Sequence, residues 1–113
     1  MAYQSLNLWA LAFAMTVTAT ASASTGAVTC PQSVVIDGAG HGLVNASIYD
    51  GFPGDLAQLV PSPAGALDRW DVRFKDTYLV CKFQGTFRVV ALHAIGATSC
   101  EAGMKPFRAS CRP

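Results

Sequence analysis

His41 sits in Gly38-Ala39-Gly40-His41-Gly42, and a histidine freed by flanking glycines is the side chain here best placed to act as a mobile base or ligand. With a turn carboxylate such as Asp37 or Asp50, it would define a small secreted cell-wall-active enzyme. The plainer expectation is a polar residue in a turn-rich connection, because no Lys-Ser/Thr follows the glycines to make a phosphate loop. His93 falls on a strand in the face of Phe87, Val89 and Ala91 and reads as a buried, hydrogen-bonded structural histidine or a sheet-edge residue rather than a general base. Attack on sugars needs two carboxylates facing each other across ~5–9 Å. Asp37, Asp50, Asp55, Asp68, Asp71 and Asp76 nearly all fall in turns or at strand ends, where Asp is favoured for its backbone hydrogen bonds. Glu101 is the only glutamate, and no G-x-S-x-G elbow is present. The expectation is a protein that is not an enzyme, with no catalytic residue, cofactor or metal.

The cysteines point to structure rather than catalysis. Cys30, Cys81, Cys100 and Cys111 are even in number and allow three pairings. We favour Cys100–Cys111, closing a short C-terminal loop, with Cys30–Cys81 tying the start of the domain to its centre; the other two pairings stay open. Zinc is disfavoured by the lack of C-x-x-C and by two widely separated histidines. What remains for function is Tyr49-Asp50-Gly51-Phe52-Pro53, two aromatics and a carboxylate on a stiff turn. Phe52 either plugs the sheet or anchors a protein partner. Tyr49, Asp50, Phe52 and His41 are the candidate partner-binding residues. Asn45-Ala46-Ser47 matches the glycosylation sequon, a triplet too common to carry weight.

Residues 1–23 read as a signal peptide. They carry no charged side chain, run apolar from Leu6 to Val17 and close on Ala21-Ser22-Ala23, with cleavage expected after Ala23 or, alternatively, Ala21. The usual n-region Lys or Arg is missing. The apolar core is short of the ~20 residues of a spanning helix. Residues 24–113 form one domain of a size that needs staples. Eight Lys/Arg against seven Asp/Glu, with no basic run, give no reason to expect nucleic acid, and no later stretch suits a membrane.

Strands are expected at Ser33–Ile36, ending on the turn Asp37-Gly38, and at Leu43–Tyr49, with Ala39–Gly42 as a flexible connection. Asp55–Val60 is a helical turn or an extended edge, and 62–67 a loop. Trp70, Val72 and Phe74 alternate with Arg69, Asp71, Arg73 and Lys75, the pattern of a half-buried strand. Tyr78–Phe83 and Phe87–Ile95 should pair as a hairpin, with Phe83 facing Phe87 and Cys81 facing Val89. A short last strand is expected at Phe107–Cys111. The fold class is all-β, or β with one short helix: a disulfide-stapled antiparallel sheet or sandwich of five or six strands.

Cys30-Pro31, Ile48-Tyr49-Asp50-Gly51-Phe52-Pro53, Leu59-Val60-Pro61, Trp70, Tyr78-Leu79-Val80-Cys81-Lys82-Phe83 and Cys100 together resemble a family of small exported Gram-negative proteins. That family takes its name from a reading frame in a type VI secretion island. The likeness spans Cys30 to about Cys100 and rests mainly on turns, an aromatic and cysteines. It implies a periplasmic immunity protein that neutralises a cognate effector, a peptidoglycan-active enzyme such as one of L,D-transpeptidase-type fold. No catalytic residue carries over. A structural envelope protein without a toxin partner is a further alternative.

Overall fold

Alternation of apolar and polar residues, punctuated by Gly and Pro, yields a succession of short antiparallel strands and, among the described residues, no α-helix. The structure, a computed structural model, describes residues 27–113; the expected leader at 1–23 lies outside the described residues. The strands are β1 (Val28–Thr29), β2 (Ser33–Ile36), β3 (Ala39–Asp50), β4 (Ser62–Ala64), β5 (Leu67–Asp71), β6 (Thr77–Phe83), β7 (Val89–His93), β8 (Ser99–Gly103) and β9 (Arg108–Arg112). One sheet has the order β1-β9-β8-β5-β4 and the other β2-β3-β6-β7. The expected all-β, disulfide-stapled architecture is present, with nine short strands in place of the five or six expected. Two strands, β1 and β4, are too short at two and three residues to declare a period in the sequence.

Turn chemistry explains the connections. Ile36 faces Ala39 across Asp37-Gly38, both at positive φ (51° and 82°), as a type I′ hairpin requires. The flexible connection expected at Ala39–Gly42 is instead the first part of β3, because pairing with β2 outweighs the low strand preference of its glycines. The loop expected at 62–67 is a second tight hairpin, Ala64 facing Leu67 across Gly65-Ala66. In place of a helical turn within Asp55–Val60, one 3-10 turn covers Pro53–Asp55, and the chain then returns to the edge of β3 through a Tyr49–Gln58 bridge.

The β6–β7 hairpin differs from expectation by one residue. Lys82 faces Val89, Cys81 faces Val90 and Leu79 faces Leu92. A one-residue shift exchanges the faces of a strand. Val90 and Leu92 therefore pack on the core, while Phe87, Val89, Ala91 and His93 point away from it. The longer connection from Phe83 to Val89 keeps Phe83 in the core and leaves Phe87 fully exposed.

The core is lopsided. One sheet contributes small residues, Cys100, Ala102, Ala109 and Cys111, with Trp70 as its one large filler; the other contributes Ile48, Leu79 and Phe83. The indole Nε1–H of Trp70 donates to the Leu59 carbonyl at 3.2 Å, fastening the segment that crosses between the sheets. Cys30–Cys81 joins the end of β1 to β6, hence one sheet to the other, and Cys100–Cys111 joins the neighbouring strands β8 and β9. Among the described residues no helix is long and apolar enough to cross a membrane.

Loop-closure entropy ranks the two staples. Cys30–Cys81 closes a loop of sequence separation 51 and Cys100–Cys111 one of 11. The expected contributions are about 4 and about 3 kcal/mol. Paired Cys→Ala replacements, followed by urea unfolding, should therefore cost more stability for the inter-sheet bond; the reverse order would show that its loss is relieved in the native state.

Candidate functional site

Antiparallel register places Tyr49, Tyr78 and His93 side by side on the outer face of the β2-β3-β6-β7 sheet, at the end where β3 and β7 finish. Tyr78 and His93 stack with ring centroids 4.1 Å apart and planes within 5°. The ring of Phe52 meets Tyr78 edge-on, 6.0 Å away at 82°. His93 Nε2–H donates to Asp76 Oδ1 at 2.6 Å, since a carboxylate only accepts. Four groups of different chemistry thus form one exposed platform.

The platform is held from behind by backbone. Asp50 Oδ1 accepts the Asp76 N–H at 3.0 Å, and the Gly51 N–H donates to the Asp76 carbonyl at 2.6 Å. Asp50 therefore clamps the loop after β3 to the loop before β6. The loop carrying Phe52 is closed by Asp50 N–H to Ala57 C=O (3.0 Å) and Leu59 N–H to Ile48 C=O (2.8 Å). Gly54 lies under the Phe52 ring so closely that a Cβ there would come within 3.2 Å of it. Phe52 nevertheless stays 64% exposed: it is presented rather than folded back as a plug.

A second aromatic tip stands at the same end. Val72 is buried, but the alternation expected to carry through Phe74 stops there, because residues 73–76 turn the chain into β6. Phe74 adopts φ 65° and is fully exposed. A bulky residue in the left-handed region costs on the order of 1–3 kcal/mol, and such strain clusters at functional sites. Arg73 grips Asp71 with Nε–H and Nη2–H at 2.9 and 2.6 Å, and its backbone N–H adds a third bond at 3.2 Å. The Arg73 side-chain hydrogen bonds, then its backbone one, hold the Asp71 carboxyl down at about 2.

Of the residues singled out by sequence, Tyr49, Asp50 and Phe52 come together here. His41 does not. It lies nine residues earlier on β3, about 30 Å along an extended strand from Asp50. Its Nδ1 is 2.7 Å from the Gln84 carbonyl, beside Gly85 at φ 81°, so it ties the start of β3 to the β6–β7 connection. The enzymatic pairing of His41 with Asp50 is therefore not formed. His93, expected on the apolar face of β7, is instead the outward histidine of the platform, with Asp76 as its partner. Sequence reasoning missed Tyr78, Asp76 and His93 as a group; only the correct β6–β7 register would have placed Tyr78 opposite His93.

Elsewhere the surface offers little enclosure. Open depressions of about 310 Å³ lie beside Leu67, Gly103, Met104 and Arg108 at the other end of the molecule, and beside Phe74 and Lys75. No group of three or more potential metal ligands occurs among the described residues. In comparisons with family models, curated proteins and solved structures, nothing matched this chain.

The Asp71–Arg73 grip predicts a measurable titration. A carboxyl lowered from 3.8 to about 2 contributes stability that is fully present above 3.8 and is lost as pH falls through about 2. A carbon-detected NMR titration should place Asp71 near the lower value, and Arg73→Gln should return it towards the ordinary one. An unchanged midpoint in that variant would mean the grip does not exist in solution.

Proposed function

We propose that this protein is a periplasmic binding protein, an immunity protein that docks on and neutralises a peptidoglycan-active effector. The observation that carries the reading is the platform of Phe52, Tyr78, His93 and Asp76, exposed yet fixed by backbone on a disulfide-stapled scaffold. Aromatic side chains on rigid supports bind proteins well because little conformational entropy is lost when they dock. Two disulfides suit a non-reducing, extracytoplasmic compartment, and the signal-peptide pattern of residues 1–23 makes the periplasm the natural one. The resemblance to exported proteins of type VI secretion islands supplies the class of partner. Within this reading Tyr49 and Phe52 make contact, Asp50 positions the loop, and His41 has a supporting place in the fold.

A small secreted enzyme is the second reading, and one feature favours it: the 2.6 Å His93–Asp76 pair, in which a carboxylate orients an exposed imidazole. A structural envelope protein would need neither the platform nor its rigidity.

Calorimetry against the effector encoded next to the gene separates these readings. Tight binding is expected for the unaltered protein. Phe52→Ala or Tyr78→Ala should weaken it by about tenfold or more, the effect of losing an interface anchor. Absence of binding at micromolar concentration would overturn the proposal. Turnover of peptidoglycan that disappears in His93→Ala would favour the enzyme instead.

A further inference from the structure

We propose that the outer edge of β7 pairs with the same edge of a second copy, antiparallel about a two-fold axis at Ala91, so that two four-stranded sheets become one of eight strands. Free strand edges are normally blunted by shortness, proline or charge. Three of the four sheet edges here follow that rule. β1 has two residues; β4 has three, one of them Pro63; β2 has four and is boxed in by Pro31 and the reversed turn at Asp37-Gly38. β7 breaks it. Its five residues, Val89-Val90-Ala91-Leu92-His93, include no Lys, Arg, Asp, Glu or Pro, and it is hydrogen-bonded to β6 on one side only.

The register about Ala91 is self-complementary. It sets Val89 opposite His93 of the second copy, and beyond the strand it brings Phe87 to Ile95 of the second copy. Both residues lie in the connections that flank the strand, and in a single copy they are 105% and 59% exposed. The same contact recurs on the other side of the axis, as an isologous interface requires. Charge follows the same symmetry. Lys82 faces Val89 within β6–β7, so two strand spacings of about 4.8 Å separate it from His93 of the second copy. Among the described residues Lys82 has no ion pair within its own chain, and the pairing moves it towards the His93–Asp76 pair of the second copy. At the axis, Ser47, Val80 and Ala91 form one row, with Ser47 and Val80 already covered at 3% and 4% exposure, so a flat, small-residue seam meets its equivalent. A strand pair alone is small beside the ~1,200–2,000 Å² of a stable interface. The two Phe87–Ile95 contacts supply the apolar area that extends it.

Sedimentation of the purified exported protein at micromolar concentration tests this without any effector. A dimer is expected for the unaltered chain and a monomer for Ala91→Lys, which would set two cations facing each other at the axis. Circular dichroism and retention of both native disulfides check that the variant is folded. Ala91→Cys should form an intermolecular disulfide, because directly opposed residues lie within disulfide reach. Val89→Cys should not, its equivalents being about 13 Å apart along the pair. A monomeric unaltered protein would overturn the proposal, as would a dimer that survives Ala91→Lys or cross-links through Val89→Cys and not Ala91→Cys. Either result leaves effector binding to be judged separately by calorimetry.

Discussion

The bond between Cys30 and Cys81 is the constraint on which the rest depends. A sandwich is normally held by interdigitation of bulky side chains from both inner faces. Here one face supplies mostly alanine and cysteine, so the apolar area that can be buried between the sheets is modest. A covalent tie that closes a loop of separation 51 lowers the entropy of the unfolded chain and offsets that deficit. It also sets the position of β6, because Cys81 is the middle residue of Thr77–Phe83 bar one. Tyr78 is three residues from that anchor. The platform therefore inherits its rigidity from the staple.

Stapling and presentation are linked through Asp50 and Asp76. With β6 fixed, the clamp from Asp50 Oδ1 to the Asp76 N–H has a firm base, and it holds the Phe52 loop against the start of β6. His93 then finds Asp76 at hydrogen-bond distance because β7 is registered on the same strand. None of these bonds is buried, and each alone contributes little net stability in water. Their combined effect is geometric: they fix where two aromatic rings, an imidazole and a carboxylate face solvent.

Local chemistry was readable in the sequence where it acts over a few residues. Asp37-Gly38 announces its hairpin because Gly and Asp tolerate positive φ, and the cluster around Gly51-Phe52-Pro53-Gly54 announces a stiff turn. The favoured cysteine pairing, one of three that the sequence leaves open, is the one formed. Register was harder. Moving the β6–β7 pairing by one residue turns His93 from a core-facing residue into a platform residue, and the apolar residues of Val89–Leu92 suit either face. Ala39–Gly42 looks flexible in isolation and is extended only because β2 lies beside it. Phe74 keeps the alternation of its strand in the sequence although the strand has ended three residues earlier, at Asp71. The meeting of Asp76 with His93, 17 residues apart, is a product of the fold and leaves no local mark.

Backbone hydrogen–deuterium exchange on the protein with and without the proposed partner, a peptidoglycan-active effector, tests the central claim most directly. New protection confined to the segment 49–56, the turn 73–78 and the end of β7 is the predicted result, with the region around His41 and Gln84 unchanged. Protection centred on His41 and the β6–β7 connection, with the Phe52 loop unaffected, would contradict it.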